Sequence, residues 1–398
     1  MAKKKAEDFF SMLATATGGE VFKDSGKVNY YIDTGNFALN YICSGKFITG
    51  GIPGGKIIEV YGPEAAAKSL VGFCCLGGVQ RLGGIGIYED AERAGNAEFA
   101  ESCGHLDSSQ MVTHYPPTIE EFGRNVLKTT RVIRKARPDE PILYVWDSIG
   151  VAMTDREWNE INLPDKPTKE QVKEAGGNER PGERAKASGK VLRQLCPFID
   201  DNNATMYVVN QERSKIGVMY GPSKTQAGGG EALKYYASCR LALAARKKIV
   251  QKKTKVVIGV NLTVRNEKNR THRPFLSTEG IQIYFDGGIN PVGGLLTILI
   301  GAGRVEMSGK GTYKVCEPWA GGNTVTFKAS KVRNDVPISL LMDCPALVDA
   351  TSTEEVKEYL SHFESALQIS NGDSIEEEPT DQEDILNAVI GHKDEDDE

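Results

Sequence analysis

The sequence predicts an α/β fold: a mostly parallel central sheet with helices on both faces, an N-terminal helix before it, and a small C-terminal α+β subdomain with an acidic disordered tail after it. Three observations predict this. From about Gly51 to Ile300, short apolar runs that end in a polar residue alternate with helical patterns, the order that buries parallel strands between helices. After Gly301 that alternation stops. Residues 373–398 hold twelve Asp or Glu and one Lys, a stretch too charged and too poor in apolar side chains to support a core.

Taken in order, Ala6 to Thr15 has helical spacing through Phe9, Phe10 and Leu13, and Thr17-Gly-Gly ends it. Lys56-Ile-Ile-Glu-Val-Tyr reads as a strand and Ser69 to Arg81 as a helix. Gly86-Ile-Tyr, Ile142-Leu-Tyr-Val-Trp and Met206-Tyr-Val-Val are three further strands, rich in β-branched and aromatic residues. Arg304 to Val315 reads as strand–turn–strand around Ser308-Gly-Lys-Gly. Residues 353–368 read as one amphipathic helix, with Ser352 or Thr353 as N-cap and acids in the first turn. The expected organisation is 1–33 as N-terminal helix and linker, 34–300 as core, 301–370 as C-terminal subdomain and 371–398 as tail.

Hydrophobic residues make up 40% and charged residues 26% of the chain, ordinary for a soluble protein. No apolar run approaches the ~18 residues that cross a bilayer; the longest, such as Leu295 to Ile300, are strand-sized. Met1-Ala-Lys-Lys-Lys has no apolar segment of the kind a secretory signal carries. Eight scattered cysteines form no Cys-x-x-Cys and no readable disulfide framework. The five histidines show no metal-ligand spacing. A reducing cytoplasm is the expected compartment. The net charge of −6 argues at first against a nucleic-acid partner, but residues 373–398 alone carry −11, which leaves +5 on the body of the chain.

Four strand ends carry candidate chemistry. Gly62-Pro-Glu-Ala-Ala-Ala-Lys-Ser69 follows a predicted strand and opens a predicted helix, the setting of a P-loop whose backbone N–H groups cradle phosphates. In that reading Gly62, Pro63, Glu64, Ala65, Ala66, Ala67, Lys68 and Ser69 bind nucleotide, with Lys68 on the phosphates and Ser69 on Mg²⁺. Ala67 stands where the pattern has its second glycine, and its Cβ crowds the loop or demands a different backbone. An ordinary strand–turn–helix corner is the bland alternative. Asp147, at the end of Ile142–Trp146, suits a Walker B carboxylate that holds Mg²⁺ through water, or a capped turn. Glu89-Asp-Ala-Glu92 offers a carboxylate to orient or deprotonate water, or a solvated helix start. Val209-Asn-Gln211 ends in two amides and leads into a loop, 212–230, of basic, aliphatic and aromatic residues with glycines. Such a loop can follow a phosphate backbone and slip a side chain between bases, or serve as a lid.

Positive charge is concentrated twice. Residues 246–273 hold ten Lys or Arg and one acid, a density that favours polyanion contact. Residues 123–137 hold six bases and no acid, at a helical spacing that usually means a solvated face.

In this order the motifs resemble the RecA family of strand-exchange ATPases, and its bacteriophage UvsX-like branch in particular. The resemblance is carried by Ile57-Ile-Glu-Val-Tyr-Gly-Pro-Glu64, Asp90-Ala-Glu92, Asp147-Ser148, Asn210-Gln211, Lys215-Ile-Gly-Val-Met-Tyr-Gly221, Gly229-Gly-Glu-Ala-Leu-Lys-Tyr-Tyr-Ala-Ser238, Lys268-Asn-Arg270 with Pro274-Phe275, and Gly287-Gly-Ile-Asn290, within residues 34–300. It implies a RecA-type P-loop ATPase core that uses ATP and Mg²⁺. Glu92 then looks like the general base, Asp147 like the Walker B acid, and Gln211 like the amide that senses the γ-phosphate. Lys268 and Arg270 resemble cations inserted into a neighbouring protomer's site, and Asn96 and Phe99 match positions near the adenine. Residues 212–230 match the second DNA loop, where Arg213, Lys215, Ile216, Gly217, Val218, Met219, Tyr220, Lys224, Gly228 and Gly229 are the candidate DNA contacts. About 154–186 matches the first loop, with Arg184 and Lys186 as candidates.

The departures are Ala67, a position phage members also relax; a first-loop region longer than in bacterial members; and a mixed Lys268/Arg270 pair where bacterial members have two lysines. The implied partners are ssDNA and dsDNA, further copies of the chain in a helical filament, an ssDNA-binding protein and a recombination mediator, with no membrane. The implied compartment is the cytoplasm, that of the host for a phage protein. A ring-forming helicase motor and a non-enzymatic ssDNA coat with a degenerate P-loop are the competing readings.

Overall fold

The computed structural model describes residues 2–22, 26–164, 167–168, 170, 182–214, 225–227, 231–320, 322, 324–328, 350–371 and 375–379. It divides into two units, Met1–Tyr30 and Tyr31–Glu398. The first holds helix α1 (Ala2–Thr17), whose last turn is tightened by the Thr15 and Thr17 hydroxyls donating back to the carbonyls of Ser11 (2.9 Å) and Leu13 (2.8 Å).

The second unit opens with a two-stranded ribbon, β1 (Tyr31–Ile32) and β2 (Ile52–Pro53), joined through α2 (Phe37–Ser44). Strand β3 (Ile57–Gly62) leads into α3 (Lys68–Arg81), and β4 (Ile85–Asp90) into α4 (Ala97–Gly104). Then come β5 (Val112–His114), α5 (Ile119–Ala136), β6 (Ile142–Asp147), α6 (Asp155–Ile161), α7 (Glu183–Asp201), β7 (Ala204–Ser214), β8 (Thr225–Ala227) and α8 (Glu231–Tyr236). Two thirteen-residue strands, β9 (Cys239–Gln251) and β10 (Val257–Asn269), are followed by β11 (Ser277–Tyr284), β12 (Gly288–Ile289) and α9 (Leu295–Gly301). A separate three-stranded sheet comprises β13 (Val305–Gly309), β14 (Thr312–Val315) and β15 (Thr326–Lys328). The last elements are α10 (Ala350–Ser361), α11 (Glu364–Asn371) and β16 (Ile375–Pro379).

The main sheet runs β12-β11-β10-β9-β3-β7-β6-β4-β5. From β9 to β5 every neighbouring pair is parallel, whereas β9 through β12 pair antiparallel. The strands β3 and β6 are buried at every residue, which is why they read as unbroken apolar runs. Below the parallel half, Trp146 stacks on Phe122 at 3.8 Å, and α5 and α7 close the core with Val126, Leu192 and Leu195. All four strands expected in the core form, and their carboxyl ends bring the candidate loops together, as the doubly covered topology demands.

The short apolar run Leu295–Ile300 is helical: Leu295, Ile298 and Leu299 are its buried residues, a spacing of three and four. Two expectations need correcting. The single helix expected over 353–368 is two helices, α10 and α11. They break where Phe363 enters the core beneath Gly35, a left-handed residue (φ 78°) whose absent Cβ makes room for Phe363 and Ile289. These helices pack back on the core: Tyr359 stacks on Phe37 at 5.1 Å and donates to Asp33 (3.0 Å), which also binds Arg81 (2.7 Å). Lastly, within the stretch expected as a disordered tail, Ile375–Pro379 is a strand, because the edge of β9 over Lys247–Gln251 offers it an antiparallel ladder. Residues 380–398 lie outside the described residues.

Candidate functional site

The P-loop is a tight corner between β3 and α3. A Cβ on Gly62 would lie 2.1 Å from the Leu243 carbonyl oxygen, so the neighbouring strand leaves room only for glycine. Ala65 and Ala67 both take left-handed backbone (φ 56°). Ala67 therefore keeps the conformation that the usual glycine supplies without strain, at a cost of about 1–2 kcal/mol. Lys68 is 7% exposed. Its Nζ donates to the carbonyls of Pro63 (2.5 Å) and Gly62 (3.2 Å), which folds it over the loop. The start of α3 is fixed by the Tyr207 hydroxyl, which donates to the Lys68 carbonyl (2.8 Å).

The other three strand ends converge beside it. Asp147 is buried and accepts from the hydroxyls of Ser69 and of Tyr88 (3.1 Å). Burial pushes its carboxyl up, as do the nearby Glu92 and Asp90 carboxylates, against those two hydrogen bonds. Glu92 is exposed at the mouth. Its Oε1 accepts from Ser148 Oγ (2.6 Å) and from Gln211 Nε2 (3.1 Å), so one carboxylate joins the ends of β4, β6 and β7. Asp90 instead ties down its own turn, accepting from the backbone N–H of Ala94 (3.2 Å) and Gly95 (2.9 Å). Asn96 caps α4 by accepting from Phe99 N (2.9 Å), and the Phe99 ring, 38% exposed, leans on Phe285 with centroids 6.2 Å apart.

Lys268 and Arg270 are not at this mouth. Lys268 pairs across β10–β9 with Arg240, which pairs with Glu59 in the middle of β3. The P-loop leaves the opposite, carboxyl end of β3. Both cations cap helix α8: Lys268 Nζ donates to the carbonyls of Lys234 and Tyr235, and Arg270 to that of Tyr235 (3.1 Å). Burial and the nearby Arg270 and Arg240 charges hold the Lys268 ammonium below its usual pKa.

Of the candidate DNA contacts, Arg213 lies in the backbone of a hairpin stem where Glu212–Ser214 pair antiparallel with Thr225–Ala227. Residues 215–224 and 228–230, with Lys215, Ile216, Gly217, Val218, Met219, Tyr220, Lys224, Gly228 and Gly229, lie outside the described residues. Arg184 is spoken for by Glu157 (2.7 Å), and Lys186 is exposed on α7.

A family model described as the RecA N-terminal domain matches residues 19–290. Curated relatives named "Protein RecA" include one from Rhizobium leguminosarum bv. viciae, 33% identical over 316 residues (78% of this chain, 82% of the relative). Another, from Thermus thermophilus, is 30% identical over 308 residues (77% and 82%). This chain belongs to the RecA family. It is a DNA recombinase, and RecA-family proteins are DNA-dependent ATPases with a P-loop fold.

The residues of this RecA-family site fit a nucleotide with a divalent cation. The loop backbone and a folded-over ammonium suit phosphates, and a hydroxyl with one carboxylate is the sparse oxygen set that Mg²⁺ takes when phosphates and waters complete its shell. Among the described residues, no helix is long and apolar enough to cross a membrane.

Sequence reasoning missed the supporting residues. Tyr88, Ser148 and Asn210 each hold a site residue through a partner 59, 56 or 1 position away. The readable signal was their place beside motifs already singled out: Tyr88 precedes Glu89-Asp-Ala-Glu92, Ser148 follows Asp147, and Asn210 adjoins Gln211.

Proposed function

We propose that this chain forms helical filaments on ssDNA with ATP and Mg²⁺ bound between protomers, and pairs and exchanges homologous strands. The observation that carries this reading is the Glu92 carboxylate, which binds Ser148 from the Walker B end and Gln211 from the strand that opens the DNA loop. A water-activating base held by an amide of β7 is a direct physical link between nucleotide state and the DNA loop. Lys68 supplies positive charge to the phosphates, Ser69 and Asp147 orient the cation, and Phe99 offers a ring face to the base. Bound Mg²⁺ supplies charge neutralisation along the phosphates. Lys268 and Arg270, kept away from their own P-loop by the register of β9 and β10, serve a neighbour's. Loop 212–230 and the region 154–186 contact DNA. Base pairing supplies the sequence specificity, while the protein reads the backbone.

Supporting contacts with an ssDNA-binding protein and a mediator, dsDNA as second substrate, a cytoplasmic setting and membership of the phage UvsX-like branch belong to the same reading. Its domain boundaries are 1–33 for the protomer-contacting arm, 34–300 for the core and 301–370 for the C-terminal subdomain. The tail is 371–398, and its acidic residues from Asp373 to Glu398 act as a brake on duplex access. The test is ssDNA-stimulated phosphate release by Glu92→Gln. Hydrolysis falls by about 10²-fold or more while nucleotide and ssDNA binding stay intact, and a wild-type rate would remove Glu92 from the mechanism.

A further inference from the structure

A polar chain crosses the sheet beside the site and ends at the interface cations. Its centre is Glu59, 0% exposed in the middle of β3. One carboxylate oxygen accepts from Asn210 Nδ2 (2.9 Å), and Asn210 Oδ1 accepts from the backbone N–H of Gln211 (3.0 Å). The other oxygen accepts from Arg240 Nε on the opposite neighbour, β9. The Arg240 guanidinium lies 4.6 Å from the Tyr61 ring and 3.7 Å from Glu267 Oε2, and the Tyr61 hydroxyl donates to Glu267. Glu267 immediately precedes Lys268, the register partner of Arg240. Four adjacent strands, β7, β3, β9 and β10, are thus joined by side chains on one line.

We infer that Glu59 and Arg240 are positioning residues that couple Gln211 in one protomer's nucleotide site to the Lys268–Arg270 pair it presents to the next protomer. The inference rests on the proposed roles of those three residues. The physical reason is that a buried carboxylate is tolerated only while every partner stays in place. A shift of Asn210 that accompanies a change at Gln211 must therefore be matched at Arg240, which pairs with Glu267 and sits at the ladder position opposite Lys268. A hydrogen-bonded network in a water-poor interior transmits such shifts because its members have few alternative partners. A single site thereby influences the cations that complete its neighbour, which is cooperativity along the filament.

The test uses the full chain on ssDNA and compares wild type with Glu59→Gln and with the double variant Glu59→Gln/Arg240→Met. The double variant removes both buried charges at once and so stays folded if the single variant does not. Wild type should hydrolyse ATP with a sigmoidal concentration dependence. In the double variant the Hill coefficient should fall to about 1, while an isolated protomer binds a fluorescent ADP analogue within about threefold of wild type. An unchanged Hill coefficient, or a non-cooperative wild type, overturns the coupling. So does loss of ADP-analogue binding, which would place the network's effect in its own P-loop. A separate arm mixes Lys268→Ala with wild type: if that variant fails to slow its wild-type neighbours, the interface reading itself is gone, whatever the Hill coefficient shows.

Discussion

Two stretches of the chain look alike in sequence, and the fold uses them in opposite ways. Helix α5 and the β9–β10 segment both carry dense Lys and Arg. On α5 the bases serve the protomer itself. Arg124 binds Asp155 (2.8 Å), Arg137 binds Glu140 (2.9 Å), and Arg134 donates to the carbonyls of Asn202, Arg137, Glu140 and Asn203 around the start of β7. Arg131 lies over the Phe198 ring at 6.0 Å. At the end of β10, by contrast, Lys268 and Arg270 donate to carbonyls at the end of a six-residue helix. Those carbonyls lie at an exposed helix end and are readily handed over to water, whereas most of the carbonyls that Arg134 holds are partly buried between two chain segments. Density of charge in a sequence thus says little about use; the kind of acceptor the fold provides says more.

The largest effect should come from the second stretch. Lys268→Ala is expected to lower ssDNA-stimulated phosphate release by about 10²-fold, including in filaments mixed with wild type, while nucleotide binding by the isolated protomer persists. If the loss were confined to the variant's own subunits, the contrast between the two stretches would fail. Next, Arg134→Met should destabilise the chain by about 2–3 kcal/mol in urea unfolding, because several carbonyls lose a charged donor. Its ssDNA binding should keep the wild-type salt dependence. A flattened salt slope with an unchanged urea midpoint would make α5 a DNA face and erase the distinction. Arg124→Gln removes an exposed pair and should change stability by no more than about 1 kcal/mol.

The smallest effect concerns Lys128, which faces His114 from α5. His114 Nδ1 lies 2.8 Å from the buried Glu89, a hydrogen bond that raises the histidine pKa, while burial and Lys128 oppose it. A raised folded-state pKa means that this stabilisation is complete below the ordinary histidine pKa of ~6.5 and is lost as pH rises through the raised value. Lys128→Gln removes a repulsion, so NMR titration of His114 should find that loss at higher pH. An unchanged titration would show that the α5 charge does not reach the sheet.

Much of this was legible beforehand, for physical reasons. Strands β3, β4, β6 and β7 are buried on both faces, so their side chains spell one apolar word each, and the polar residues that end them mark the site. Lys68, Ser69, Glu92, Asp147 and Gln211 were readable for that reason, and the fold brings all five to one mouth. What stayed hidden depends on partners remote in sequence. Glu59 meets Arg240 across 181 positions, and nothing local in either marks the pair. The long strands β9 and β10 went unread because their lysines and arginines interrupt the apolar alternation that marks a strand. Phe363 broke an apparently continuous helix because the core beneath Gly35 had space for its ring.

The strand Ile375–Pro379 has a consequence for everything that follows it. It continues along β9 where β3 leaves off, since β3 pairs with Cys239–Ala242 and β16 with Lys247–Gln251. One result is protective: a stretch of sheet edge that could recruit a strand from another molecule is already covered. The other is a matter of tethering. The acidic residues after Pro379 begin beside Lys247, so their concentration near the β9–β10 hairpin is fixed by chain length and not by how much protein is present. In any contest with DNA for this hairpin the carboxylates' side is intramolecular and the DNA's is not, so diluting the protein does not release them.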